Sequence, residues 1–346
     1  MEVSLLKPTE STERIEVLDY LRGFALLGII LVNILPLLAV KMPEQGTGDA
    51  YYQRFLFLFV EGRFYTLFSF LFGVGFFLFI SRANAKGKNG YVLFLRRVAA
   101  LFILGWFHVK FHPGEALTVY AVTGLLLIPF YKLKKEINLA IGLILLIVLS
   151  IMASKLFMVV PLMLLGITAG QYRLFEGVAG KVKKAVIFTA LLLIVSITGL
   201  IYQYQLVPAY PFGFYTGVDE ATYQFLSIGI MIGPLVSALY VRVLMLLLQF
   251  QTVQKLLSPL KSYGRMALTN YIFQTVFIYA AGYVFNLFES LTYLQSLFVC
   301  LTIYIIQLTF SSIWLRFFQF GPLEWIWRVV TYLEVPPLRR RVKEVH

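Results

Sequence analysis

Long apolar blocks separated by short polar joints run through the whole chain. A helix needs ~20 apolar residues to cross the hydrocarbon core of a bilayer, with its backbone satisfied internally. Ten blocks approach that length: 18–40, 63–81, 95–111, 114–131, 137–154, 156–172, 184–203, 226–248, 267–288 and 292–316. The pattern predicts an all-α polytopic membrane bundle of about ten transmembrane helices. Composition sharpens this: 60% of the 346 residues are hydrophobic and 14% charged, with a mean hydropathy of +0.81. A soluble domain has roughly 45–50% apolar and about 25% charged residues, so a water-soluble enzyme is excluded.

The net charge of +13 would suggest nucleic acid in a soluble chain. Here the basic residues alternate with the spans, so no nucleic-acid partner is expected. With the N-terminus inside, Lys41, Arg54, Arg63, Lys110 and Lys155 fall outside and Arg22 and Arg242 within spans, while the rest sit in inner joints and the tail. That bias places both termini in the cytoplasm. Three segments follow: a cytoplasmic N-terminal stretch 1–17, a transmembrane domain 18–320, and an interfacial helix with a basic tail over 321–346. Pro322 suits the first position of that last helix, Trp325 and Trp327 suit headgroup depth, and Glu324 and Arg328 are spaced as partners. The joint 204–225 contributes Tyr204, Tyr210, Phe212, Phe214, Tyr215 and Tyr223, either as an interfacial belt or as a lid. The pairs Gly166/Gly170 and Gly229/Gly233 suit close helix packing, as do Gly73 and Gly75. Cys300 is the single cysteine and His108, His112 and His346 the only histidines. No metal site or internal disulfide is expected.

Ionisable groups at membrane depth are costly and mark candidate sites. Asp19 and Arg22 can pair across one helical turn, and mid-span Asn33 must find a hydrogen-bond partner. Arg22, Arg96, Arg97, Arg265 and Arg328 sit at inner ends of spans. Each serves orientation singly; if they converge, they form an anion pocket whose guanidinium forks match phosphate. At the outer side Glu61 and Arg63 precede the second span, and His108, His112 and Glu115 surround the third turn. A histidine beside carboxylates has the chemistry of a general base. Alternatively these residues form a polar outer turn.

Several stretches resemble the YeiB-like family of bacterial inner-membrane proteins: DYLRGFALLGIILVN (19–33), EGRFYTLFSFLFG (61–73), GWFH (105–108) with GEALTVYA (114–121), GRMALTNY (264–271) with Gln274, and GPLEWIWR (321–328). The family usually carries Asp where Glu115 stands. It is grouped with membrane acyltransferases, including heparan glucosaminide acetyltransferase and the acyltransferase-3 proteins, which use cytosolic acyl-CoA to modify acceptors across the membrane. In the acyltransferase-3 pattern a histidine follows the arginine after ten residues. Here that position is Asn33, which leaves proton transfer to His108, Glu61 or Glu115.

The resemblance implies a multi-pass inner-membrane protein that uses acyl-CoA as cosubstrate, without a tightly bound cofactor, to acylate an envelope or membrane acceptor in contact with membrane lipids. Arg22, Arg96, Arg97, Arg265 and Arg328 would bind the donor phosphates, while Asn33, Asn270 and Gln274 would position the thioester. His108, oriented by Glu61 or Glu115, would act as base. A transporter of an amphiphilic anion and a non-catalytic envelope protein are the alternatives.

Overall fold

A computed structural model describes residues 15–175, 182–212 and 219–340. The expected N-terminal stretch before Ile15, the joint residues Phe214 and Tyr215, and His346 lie outside the described residues. Helices follow in the order α1 (Glu16–Leu37), α2 (Gly48–Phe55), α3 (Arg63–Ala85), α4 (Gly90–His108), α5 (Leu117–Leu126), α6 (Lys135–Ile151), α7 (Val159–Gln171), α8 (Val182–Gln205), α9 (Glu220–Leu247), α10 (Gln251–Leu256), α11 (Ser258–Arg265), α12 (Ala267–Val284), α13 (Tyr293–Phe317) and α14 (Pro322–Tyr332). A π-helical turn, Leu56–Val60, joins α2 to α3. The fold is all-α, with no strand among the described residues.

Every one of the ten expected blocks is helical, but among the described residues six stretches are long and apolar enough to cross a membrane. These are α1, the α2–α3 stretch, α4, α8, α9 and α13. The other four expected spans are α5, α6, α7 and α12, which have 10, 17, 13 and 18 residues. The first three fall short of the thickness that ~20 residues provide. Outward faces are apolar, as on α8, where Ile194 is 62% exposed and Leu191 57%. The molecule is thus a membrane protein with a hydrocarbon-facing perimeter.

Small residues let α3 and α7 approach closely. A Cβ on Gly73 would stand 1.9 Å from the Met163 carbonyl oxygen, and one on Gly166 would stand 2.1 Å from that of Phe70. Helix packing thus accounts for these glycines. Gly166→Ala drives a methyl into backbone that no side-chain rotation can clear. Overpacking of this kind costs typically ~1–3 kcal/mol, so the variant should melt several degrees lower in detergent; both glycines are helical, so left-handed backbone strain plays no part.

α14 forms where expected, with Pro322 at its start, but it packs into the bundle against α4 and α12. The Trp327 indole donates to the Arg97 carbonyl at 2.8 Å. Glu324 accepts from the backbone amides of Leu268 (2.7 Å) and Thr269 (3.1 Å), capping α12. This replaces the expected Glu324–Arg328 partnership, because four otherwise unsatisfied amides begin each helix and a carboxylate answers them and the dipole together. Of the aromatic joint, Phe212 is buried against Phe57 and Phe225, whereas Tyr204, Tyr210 and Tyr223 are exposed.

Candidate functional site

Two cavities occupy opposite ends of the bundle. The larger, about 590 Å³, lies at the end where α1 begins and α3 finishes. Its wall includes Arg22, Arg82, Arg97, Arg265 and Arg328 together with Lys86 and Lys88, against Asp19, Glu324 and Glu334. Four of the five arginines singled out in the sequence therefore converge here. Arg96 is not on this wall.

The side chains on this wall are held in defined places. Asp19 is fully buried and accepts from Arg22 at 3.2 Å. The Arg97 guanidinium lies 3.5 Å from the Trp327 ring centroid and 4.9 Å from that of Phe79. Arg265 donates to the Gln319 carbonyl at 3.2 Å. Arg328 lies over Phe320 and Tyr332 at 4.9 and 5.0 Å. Stacking leaves the edges of a guanidinium free to donate in its own plane, which suits phosphate oxygens. Burial raises the Glu324 carboxyl above its usual range, against the pull of its bonds from Thr269 and Leu268.

The second cavity, about 310 Å³, lies at the far end. Asn33, Glu61, Lys155 and three tyrosines, Tyr65, Tyr120 and Tyr271, are its polar members. Glu61 forms an ion pair with Lys155, and Tyr65 donates to the Lys155 carbonyl at 3.0 Å. Four residues line both cavities: Phe68, Leu117, Tyr120 and Tyr271. They form a septum one side chain thick. Tyr120 is fixed by Ser69 at 3.1 Å, and the Tyr271 hydroxyl accepts from the Ala116 amide at 3.3 Å.

Behind Tyr271 lies a buried polar cluster that lines neither cavity. The Thr275 hydroxyl sits 3.0 Å from His108 Nε2 and 2.9 Å from His112 Nδ1. Glu115 Oε2 is 3.9 Å from His108 Nδ1. Glu115 also accepts from the amides of Leu117 (2.6 Å) and Thr118 (2.8 Å), capping α5. Of the three candidate bases, only Glu61 faces a cavity. Asn270 and Gln274 belong to a separate network: Asn270 donates to the Tyr263 carbonyl at 2.9 Å and to Ser311 at 3.0 Å, and Gln274 donates to the Tyr263 hydroxyl at 2.7 Å. They lie on neither cavity wall and tie α12 to α11 and α13. Sequence reasoning assigned neither Trp327 nor the septum residues Phe68, Leu117, Tyr120 and Tyr271 to a site, because aromatic and aliphatic side chains occur throughout membrane helices and carry no signal of one.

His112 has a pKa lowered from 6.5 to about 4 by burial, then by the neighbouring His108, with Glu115 pulling the other way. A histidine with a depressed folded pKa stays neutral while the unfolded chain takes up a proton. Its contribution is therefore full above pH 6.5 and lost as pH falls toward 4, by roughly 3 kcal/mol if unopposed. Thermal melts in detergent should show the midpoint falling over this window, with a shallower fall for His112→Gln. Parallel wild-type and variant profiles would remove His112 as the cause.

The fold and its paired cavities define a membrane protein with a basic chamber set against a smaller one. Residues 14–176 match the family model described as heparan-alpha-glucosaminide N-acetyltransferase, catalytic, and residues 169–334 match a family of proteins of unknown function, DUF418. The chain is 58% identical over 334 residues to an uncharacterized 39.9 kDa protein in the amylase 3′ region of Bacillus acidopullulyticus, covering 94% of this chain and 96% of that one. It is 27% identical to YxaH of Bacillus subtilis, covering 99% and 100% of the two chains, and 26% identical to YeiB of Escherichia coli, covering 94% and 98%. The chain belongs to the YeiB-like family, which is linked to the heparan glucosaminide acetyltransferase-like proteins.

Proposed function

We propose that this protein is a multi-pass acyltransferase of the bacterial inner membrane, with ten spans and both termini cytoplasmic, that takes acyl-CoA into the basic chamber and transfers the acyl group to an acceptor in the far chamber. The observation that carries this reading is the pair of cavities of unlike charge meeting at a wall one side chain thick. Arg22, Arg97, Arg265 and Arg328 would hold the donor phosphates at the cytoplasmic face. The thioester would reach the septum between Tyr120 and Tyr271.

Glu61 is the base in this scheme, since it faces the acceptor chamber, while the His108 cluster holds Tyr271 in place. The acceptor hydroxyl or amine attacks the acyl carbon, the new C–O or C–N bond forms and the C–S bond breaks. The proton passes to Glu61 and then to the departing thiolate. Asn33, on the same wall, would donate to the developing oxyanion. Labelled acetyl-CoA supplied to the protein in nanodiscs should bind saturably and transfer its label to a membrane or envelope acceptor. No saturable binding would overturn the reading. The two-chamber arrangement also suits an anion transporter, for which flux into proteoliposomes would occur with the solute chemically unchanged.

A further inference from the structure

The mouth of the far chamber points to its occupant. Gly114, Lys155 and Leu156 line the chamber and are also exposed, so the opening lies between the α4–α5 joint and the α6–α7 joint. Both joints, with the last turn of α4, carry large apolar side chains on their outer surface. Trp106, Phe107 and Phe111 on one side are 54%, 53% and 62% exposed, and Met152, Leu156 and Phe157 on the other are 66%, 59% and 62% exposed. Aromatic and apolar residues in this density at helix ends belong at the headgroup boundary of a bilayer. Lys110, packed over Trp106 at 5.2 Å, adds positive charge beside the opening, which favours an anionic headgroup. Inside, the wall is apolar except for Asn33, the Glu61–Lys155 pair and three tyrosines. A bare sugar would leave most of its hydroxyls unmatched there.

We infer that the acceptor is an anionic phospholipid, which enters through this mouth from the bilayer with its headgroup hydroxyl presented to Glu61. A cavity of about 310 Å³ is at the small end of the range of ~300–1,000 Å³ for ligand pockets. It takes a headgroup and glycerol and leaves the tails in the membrane. This inference rests on the proposed function for the chemical step: the headgroup oxygen gains the acyl carbon, and its proton ends on the CoA thiol.

The test uses nanodiscs of phosphatidylglycerol and phosphatidylcholine that contain a phosphatidylglycerol with a diazirine next to its headgroup. Irradiation should attach the probe to chamber residues such as Val32, Phe64 and Tyr65. Excess phosphatidylglycerol should compete, and soluble glycerol 3-phosphate should not. Exchanging Leu156 and Phe157 for serine should lower chamber labelling severalfold while labelling of lipid-facing Ile194 stays constant. Adducts confined to outward residues, or competition by the soluble phosphate, would overturn the inference. Labelled acetyl-CoA added to the same discs separates the two ideas. Turnover with all product in the aqueous phase refutes the lipid acceptor and leaves the acyltransferase standing. Chamber labelling without any donor binding refutes the acyltransferase and leaves the lipid site standing.

Discussion

Arg97→Ala will weaken acyl-CoA binding by about 10- to 100-fold, and Arg96→Ala will leave it within about twofold of the wild type. The two residues are adjacent in sequence and both basic, but only Arg97 lies on the wall of the basic chamber. A hydrogen bond to a charged group is worth ~1.5–3 kcal/mol, and each 1.4 kcal/mol is tenfold in affinity. The Arg97 side chain is held between Trp327 and Phe79, so little of its donation to a phosphate is spent on ordering it. Trp327 bonds to the backbone carbonyl of Arg97, and truncating the side chain leaves that link between α4 and α14 in place. Arg97→Lys keeps the charge and loses the fork, so it should fall between the two. Equilibrium binding of labelled acetyl-CoA in nanodiscs reads all three. Equal effects at positions 96 and 97 would show that net positive charge, not the chamber, governs the donor.

That contrast also explains what the sequence could and could not reveal. Apolar block lengths located the helices because a bilayer demands them, and the i,i+3 spacing of Asp19 and Arg22 was enough to foretell their contact. Rotation about each helix axis was not legible. In a membrane protein the lipid-facing and core-facing sides are both apolar, so no hydrophobic stripe says which way Arg96 or Arg97 points, although successive residues differ by about 100°. The same ambiguity hid the placement of Asn270 and Gln274. Both are polar residues at membrane depth and fit a site or helix–helix hydrogen bonding equally well until their partners Tyr263 and Ser311 are known. Glu115 and Glu324 were read as a reactive group and a surface partner, yet each caps a helix. Glu324 answers amides 55 and 56 positions away in the chain, which no local pattern discloses.

Glu61→Gln will lower kcat by about 10²- to 10⁴-fold, the usual contribution of a positioned general base, and will leave the KM for acyl-CoA nearly unchanged. The substitution preserves the shape of the side chain and removes its capacity to take a proton. Glu61 lies on the far chamber and the arginines on the basic one, with Phe68, Leu117, Tyr120 and Tyr271 between them. Donor affinity should therefore not sense the change, and a loss confined to kcat marks a group that acts after the donor is bound. His108→Ala provides the opposing case. His108 contacts Thr275 and lies behind Tyr271, whose ring centroid is 5.3 Å from its own. Its removal leaves the Thr275 hydroxyl and Glu115 short of a neighbour and should lower the melting temperature with a smaller fall in kcat. If His108→Ala instead abolished turnover at full stability and Glu61→Gln retained it, the base would be the imidazole, and Tyr271 would have to swing aside to admit the acceptor.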